Sequence, residues 1–99
     1  MKKHSTSHIQ IFGGTIIKIP VDSAKTTTIV LNFSANGGNV EKVIFGTGET
    51  DYVTLTNSAA TIEDANNKAV DGYIPLTIQC KSDSNTYIGG NAIVRTVSE

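Results

Sequence analysis

The sequence predicts an all-β fold, a single small antiparallel β-sandwich or barrel of about seven to eight short strands. The first observation behind this prediction is the composition. Isoleucine, valine and threonine are abundant, whereas leucine occurs only at Leu31, Leu55 and Leu76. β-branched side chains are stiff about χ1 and pack well on a pleated sheet, whereas a helical domain normally uses more leucine, alanine, glutamate and lysine.

The second observation is the alternation of apolar and polar residues in two segments, 26–34 and 73–81. A period of two places one face of a strand against a core and leaves the other face polar, as in an antiparallel sheet. Pro75 has no backbone N–H, so the second segment is expected to have an exposed edge. The residues expected to point inward are Ile29, Leu31, Phe33, Ile74, Leu76, Ile78 and Cys80.

The third observation is the regular spacing of turn residues between the apolar segments. Gly13-Gly14 predicts a hairpin with a primed turn between two such segments. The strongest turn signal is Asn-Gly-Gly-Asn at 36–39, after which residues 40–45 are expected to pair back on the preceding strand. Further short strands are expected at 52–56, 87–88 and 92–97, with breaks at 46–48, 82–85 and 89–90.

Residues 57–72 allow two interpretations. Ser58 could cap a short helix, or Asn66-Asn67 could form a turn between two short strands. We predict a loop with at most one short helix near 58–69.

The chain of 99 residues fits one domain. Residues 1–7 are predicted to form a flexible polar N-terminal arm, and residues 8–99 a single β domain. Lys2-Lys3 is followed by polar residues and not by the apolar stretch of a signal peptide. No run approaches the roughly 18 apolar residues of a membrane helix. We therefore expect a soluble protein, made in the cytoplasm without a signal peptide, with no membrane partner.

The charge pattern argues against a nucleic-acid partner. The net charge is −1 and only 17% of the residues are charged. Lys2-Lys3 is the only basic pair and Arg95 the only arginine, whereas nucleic-acid binding depends on clustered lysine and arginine. A weakly charged surface rich in hydroxyl and amide groups suits packing against other protein.

No catalytic set can be assembled from the sequence, so we predict that the protein is not an enzyme and has no cofactor. Its histidines, His4 and His8, both lie in the predicted arm, and no Gly-x-Ser-x-Gly elbow occurs. The glycines of segment 46–51 lack the Lys-Ser/Thr pair of a phosphate-binding loop. Cys80, the only cysteine, forms no intrachain disulfide and occupies an inward strand position, where cysteine behaves as a small apolar residue.

No metal site is predicted either. His4 and His8 have the i,i+4 spacing that can join two imidazoles on a helix, but no further ligand lies nearby in the sequence. The acidic residues do not follow the spacing of a calcium-binding loop. They are Asp51, Glu63, Asp64 and Asp71.

Tyr52, Tyr73 and Tyr87 are the candidate interface residues. Tyr52 and Tyr73 fall on the outward faces of their predicted strands. An aromatic side chain on a polar face can anchor a protein interface or stack on a sugar ring. Singly exposed aromatic residues are also common without any function, so the sequence leaves these readings open.

Three features of the sequence occur together: the Thr/Ser/Asn-rich strand 26–32, the Gly-Gly segment 12–15 and the polar arm 1–7. With these features the chain resembles small virion structural proteins of tailed bacteriophages, which include capsid decoration (cement), head-fibre and tail-associated subunits. The resemblance implies a non-catalytic structural subunit located in the virion. It also implies a homo-oligomer whose partners are capsid or other virion proteins. No functional residue is transferred by this resemblance.

An adhesin-like β-sandwich module that binds carbohydrate or protein is the alternative function. Its side chains would be the same exposed tyrosines, with Tyr73 as the residue to test.

Overall fold

Eight β-strands make up most of the residues that the computed structural model describes, which are 2–13, 16–48, 50–81 and 87–98. Two short 3₁₀ turns, Gly37–Asn39 and Ala65–Lys68, complete the regular structure of these residues. The all-β prediction is confirmed. The strands are β1 (Lys3–Ile11), β2 (Ile16–Pro20), β3 (Thr26–Ala35), β4 (Val40–Phe45), β5 (Tyr52–Val53), β6 (Ala59–Ile62), β7 (Tyr73–Cys80) and β8 (Gly89–Ser98).

The strands form two four-stranded sheets, and all of their pairings are antiparallel. The first sheet has the order β1-β8-β3-β6, and the second has the order β2-β7-β4-β5. We refer to them as sheet 1 and sheet 2. Each sheet buries one face in a shared core, as expected of a β-sandwich.

The core includes six of the seven residues that the sequence predicts to point inward, together with apolar residues of the other strands. Phe33 and Leu76 are about 1% exposed, and Ile29, Leu31 and Ile74 are fully buried. Each such side chain contributes roughly 1.5–3 kcal/mol through removal of apolar surface from water. Cys80, at the end of β7, packs against this core but stays partly exposed.

The two predicted hairpins are wrong. β1 pairs with β8 and β2 with β7, so the chain crosses between sheets at Gly13 and does not fold back on itself. Gly14 lies outside the described residues. In the same way β3 belongs to sheet 1 and β4 to sheet 2, and the turn at 37–39 connects them. A glycine-rich link reverses the chain equally well within a sheet or between two sheets, so it does not identify the partner strand.

The predicted break at Gly89-Gly90 is also wrong, because β8 runs without interruption from Gly89 to Ser98. Gly90 lies where the register between β3 and β8 shifts. A Cβ atom on Gly90 would lie 2.0 Å from the carbonyl oxygen of Asn32 and 2.8 Å from the Cα atom of Phe33. The glycine is therefore needed for close approach of two strands and not for a turn.

The predicted flexible arm differs from the structure as well. Lys3 to Ser7 belong to β1, in continuous register with β8 from Lys3 opposite Ser98 to Ile11 opposite Gly90. Their side chains are exposed on both faces, which explains why the sequence shows no apolar alternation there. Backbone pairing with β8 therefore holds Lys3 to Ser7 in the strand without buried side chains.

Residues 57–72 combine elements of both sequence interpretations. Asn57 and Ser58 have positive φ and form a tight turn between Thr56 and Ala59, so Ser58 does not cap a helix. β6 follows, and then the 3₁₀ turn. Within that turn the side-chain oxygen of Asn66 accepts a 3.2 Å hydrogen bond from the backbone N–H of Thr27, which ties the turn to β3.

Pro75 does not mark an edge, because β7 lies between β2 and β4. The backbone N–H of Gly46, just beyond the end of β4, donates a 2.9 Å hydrogen bond to the Pro75 carbonyl. Within a strand the N and C=O of one residue point to the same side. Pro75 therefore lacks an N–H on the side that faces the end of β4, where the hydrogen-bond ladder between β4 and β7 ends.

Candidate interaction surfaces

An apolar row of side chains crosses the outer face of sheet 2. Ile16 pairs with Thr77, Thr77 pairs with Ile44, and Ile44 pairs with Tyr52. Directly paired residues share a face, so these four side chains form one line across all four strands. Ile16 is 69% exposed and Tyr52 is 49% exposed. We call these four residues the outer row.

Polar side chains border the outer row on one side. Lys42 Nζ lies 4.6 Å from the centre of the Tyr52 ring, a cation–π contact that holds the ring across the sheet. Lys42 also pairs with Gln79, whose side-chain amide donates a 2.9 Å hydrogen bond to a carboxylate oxygen of Glu41. An exposed aromatic and aliphatic centre with a polar border has the composition of a protein interface.

Tyr73 lies on the same face but in a different place. It is four residues from Thr77 along β7, which corresponds to about 13 Å. It is also two strands away from Tyr52, which adds roughly 10 Å across the sheet. Tyr52 and Tyr73 therefore share a face without forming one cluster.

A shallow recess of about 350 Å³ adjoins the Tyr73 ring. The Asp71-Gly72 turn, in which both residues have positive φ, joins Val70 and Tyr73 through paired backbone hydrogen bonds. This is the two-residue primed turn for which Asp-Gly is a common sequence signal. The recess is lined by Lys18, Thr47, Val70, Asp71, Tyr73 and Pro75.

Tyr87 is 54% exposed, but its position indicates a packing role. Its ring lies against the backbones of two glycines, because a Cβ atom on Gly13 or on Gly89 would be 2.7 Å from a ring carbon. The side-chain amide of Asn36 donates a 2.8 Å hydrogen bond to the Tyr87 carbonyl. Tyr87 thus closes one end of the sandwich, apart from the face that carries the other two tyrosines.

Sequence reasoning placed Tyr52 and Tyr73 on outward faces, and the structure confirms both positions. The sequence did not identify Ile16 and Ile44, which complete the outer row. Ile16 stands in an apolar run whose two faces cannot be told apart without its pairing partner. The Asp71-Gly72 turn, by contrast, had a recognisable sequence signal.

The free edge of β1 is a second surface. β1 is the outermost strand of sheet 1, and β8 is its only partner among the described residues. Lys3 to His8 are exposed on both faces. On the inner face, Ser5 and Ser7 line a cleft of about 380 Å³ that extends to the loop carrying Asp22.

The described residues contain no group of three or more histidine, cysteine or acidic side chains that could hold a metal ion. His4 and His8 stand on one strand, which separates them by about 13 Å along β1. That distance is too long for both to bind one ion within a single copy. Among the acidic candidates, Asp51 forms a 2.8 Å ion pair with Lys68.

Across the ranges described, no helix is long and apolar enough to span a membrane. No protein-family model matches the chain, and no curated protein matches it significantly.

Proposed function

We propose that this protein is a non-catalytic structural subunit of a tailed-phage virion, a decoration or accessory protein that binds the capsid or tail lattice and associates with copies of itself. The observation that carries the proposal is the outer row on sheet 2. It presents exposed isoleucine and tyrosine side chains on the outer face of a sheet, where they are positioned by paired strands and not by a loop.

The chemistry of this face fits a protein partner. Tyrosine is among the residues that contribute most to binding energy at interfaces, and it loses little conformational entropy when it is buried. Lys42 already restrains the Tyr52 ring, so part of the ordering cost of binding is met before the partner arrives. Glu41 and Gln79 hold each other at the border, where polar rim contacts normally lie.

A small surface is sufficient when the partner is a lattice. One subunit with a narrow contact area binds weakly. Linked copies that engage neighbouring lattice sites convert the second contact into an intramolecular one and can raise the overall affinity by about 10²–10⁴-fold. This is the reason that self-association belongs to the proposed function.

The test is co-sedimentation with heads and tails purified, without this subunit, from the phage that encodes it. Tyr52→Ala is expected to weaken binding about 30-fold, the effect of losing one interface tyrosine that contributes strongly to binding. Ile16→Ser, at the opposite end of the outer row, is expected to weaken it about tenfold. Phe12→Ala is the matched control, because Phe12 is 71% exposed but lies outside the outer row.

Failure of the unmodified protein to sediment with either particle would overturn the proposal. So would equal binding by Tyr52→Ala and Phe12→Ala, since the outer row would then have no part in the contact.

The recess beside Tyr73 favours carbohydrate binding as a second candidate function. An exposed tyrosine ring can stack on a sugar, while Asp71 and Thr47 in the lining of the recess provide hydrogen-bonding groups for hydroxyls. On a glycan array, Tyr73→Ala is expected to abolish any signal of the unmodified protein. Tyr52→Ala, on the same face but outside the recess, should retain it. A silent array with the unmodified protein would exclude this function for the glycans presented.

A further inference from the structure

We propose that a second copy of this chain pairs antiparallel with β1 along its free edge, with Thr6 of each copy on the twofold axis. The pairing would join two copies of sheet 1 into one continuous sheet. This inference specifies the self-association within the proposed function and rests on it in that respect.

The edge of β1 lacks the features that normally prevent strand addition. Exposed edges are usually protected by proline, by a bulge or by charged side chains. From His4 to Ile11 the strand contains no proline and no charged lysine, arginine or carboxylate, and its register with β8 has no shift. Lys3 is the only such charge and stands at the very start. The edge therefore offers a long row of backbone donors and acceptors.

The sequence of β1 identifies the partner as a second copy. His4-Ser5-Thr6-Ser7-His8 reads the same in both directions. When two such segments run antiparallel with Thr6 opposite Thr6, Ser5 faces Ser7 and His4 faces His8 of the other copy. The contact is then isologous, as a twofold axis requires. Directly opposed residues also point to the same face, so the sheet continues without a change of side.

Each of these opposed pairs is chemically suitable. Ser5 and Ser7 are small and can exchange hydroxyl hydrogen bonds, and so can the two Thr6 side chains. His4 and His8 lie on the outer face, where the two imidazole rings can pack side by side. On that face of β8, Val97 stands opposite His4, Ile93 opposite His8 and Arg95 opposite Thr6.

Disulfide cross-linking tests the register. All variants carry C80S, so that the native thiol cannot react. Thr6→Cys is expected to cross-link with itself, because opposed Cβ atoms are about 4.5–5.5 Å apart in such a pair. His4→Cys is the matched control: it has the same strand, face and exposure, but its own copy would lie about 13 Å away. A mixture of His4→Cys and His8→Cys proteins should cross-link to each other.

Light scattering tests the contact in the unmodified protein. We expect about twice the chain mass of 10.5 kDa.

Three results would overturn the inference. A mass of one chain at every concentration tested would remove both this contact and the self-association in the proposed function. A dimer in which Thr6→Cys fails to cross-link, or in which His4→Cys cross-links with itself as fast, would reject the β1 pairing but leave the proposed function standing. Whether the outer-row variants lose head or tail binding tests the proposed function and not the pairing of β1.

Discussion

Replacement of Gly90 by alanine is expected to lower the free energy of unfolding by about 3 kcal/mol or more. The added Cβ atom would stand 2.0 Å from the Asn32 carbonyl oxygen and 2.8 Å from the Phe33 Cα atom. Both obstacles are backbone atoms of β3, so no side-chain rotation can relieve the overlap. The strands can accommodate the methyl group only if β3 and β8 separate, and this separation would disturb the core beside Phe33.

Thermal unfolding followed by circular dichroism measures this effect. For a domain of this size, 3 kcal/mol corresponds to a decrease in Tm of about 12–24 °C. Gly38→Ala is the matched control, since a Cβ atom there has no neighbour within 4 Å. The control should stay within about 0.5 kcal/mol of the unmodified protein. Equal stabilities of the two variants would show that the β3–β8 contact is looser than the structure indicates.

The strands themselves could be predicted because their signal is local. β3 and β7 each carry a strict alternation, and the buried residues of both are those that the alternation selects. The pairing of strands could not be predicted, because a register is a relation between distant segments. Nothing in the sequence near Gly13 shows that β1 pairs with β8 at the other end of the chain.

Glycine was the least reliable signal. Gly89-Gly90 has the composition of a turn but lies inside β8, where the absence of side chains lets other groups approach. The Tyr87 ring occupies the space beside Gly89, and the β3 backbone occupies the space beside Gly90. A glycine needed for positive φ and a glycine needed for close approach look the same in a sequence, and only the packing distinguishes them.

The candidate surfaces were predictable to the same extent as the strands. The outward positions of Tyr52 and Tyr73 followed from alternation alone. The outer row required knowledge that Ile16, Ile44 and Tyr52 meet on adjacent strands. The palindrome at 4–8 is visible in the sequence, but it indicates pairing with a second copy only once β1 is known to be an edge strand.

Replacement of Phe33 by alanine is expected to cost about 3–5 kcal/mol of stability, the range for a fully buried phenylalanine. Phe33 heads the fully buried side chains of the described residues by volume, at 1% exposure. Its backbone is fixed as well, because its N–H donates a 2.9 Å hydrogen bond to the Ser58 carbonyl across to the turn before β6. The surroundings are therefore held in place and can fill the resulting cavity only in part.

Urea denaturation at equilibrium measures this loss, with Phe12→Ala as the control for the same chemical change. Phe12 is 71% exposed, so its truncation removes little buried surface and should shift the free energy of unfolding by less than about 1 kcal/mol. Because total stability for a domain of this size is about 5–15 kcal/mol, Phe33→Ala would consume a large share of it. A difference between the two variants of less than about 1 kcal/mol would contradict the placement of Phe33 at the centre of the core, since a cavity left by a buried phenylalanine costs several times more.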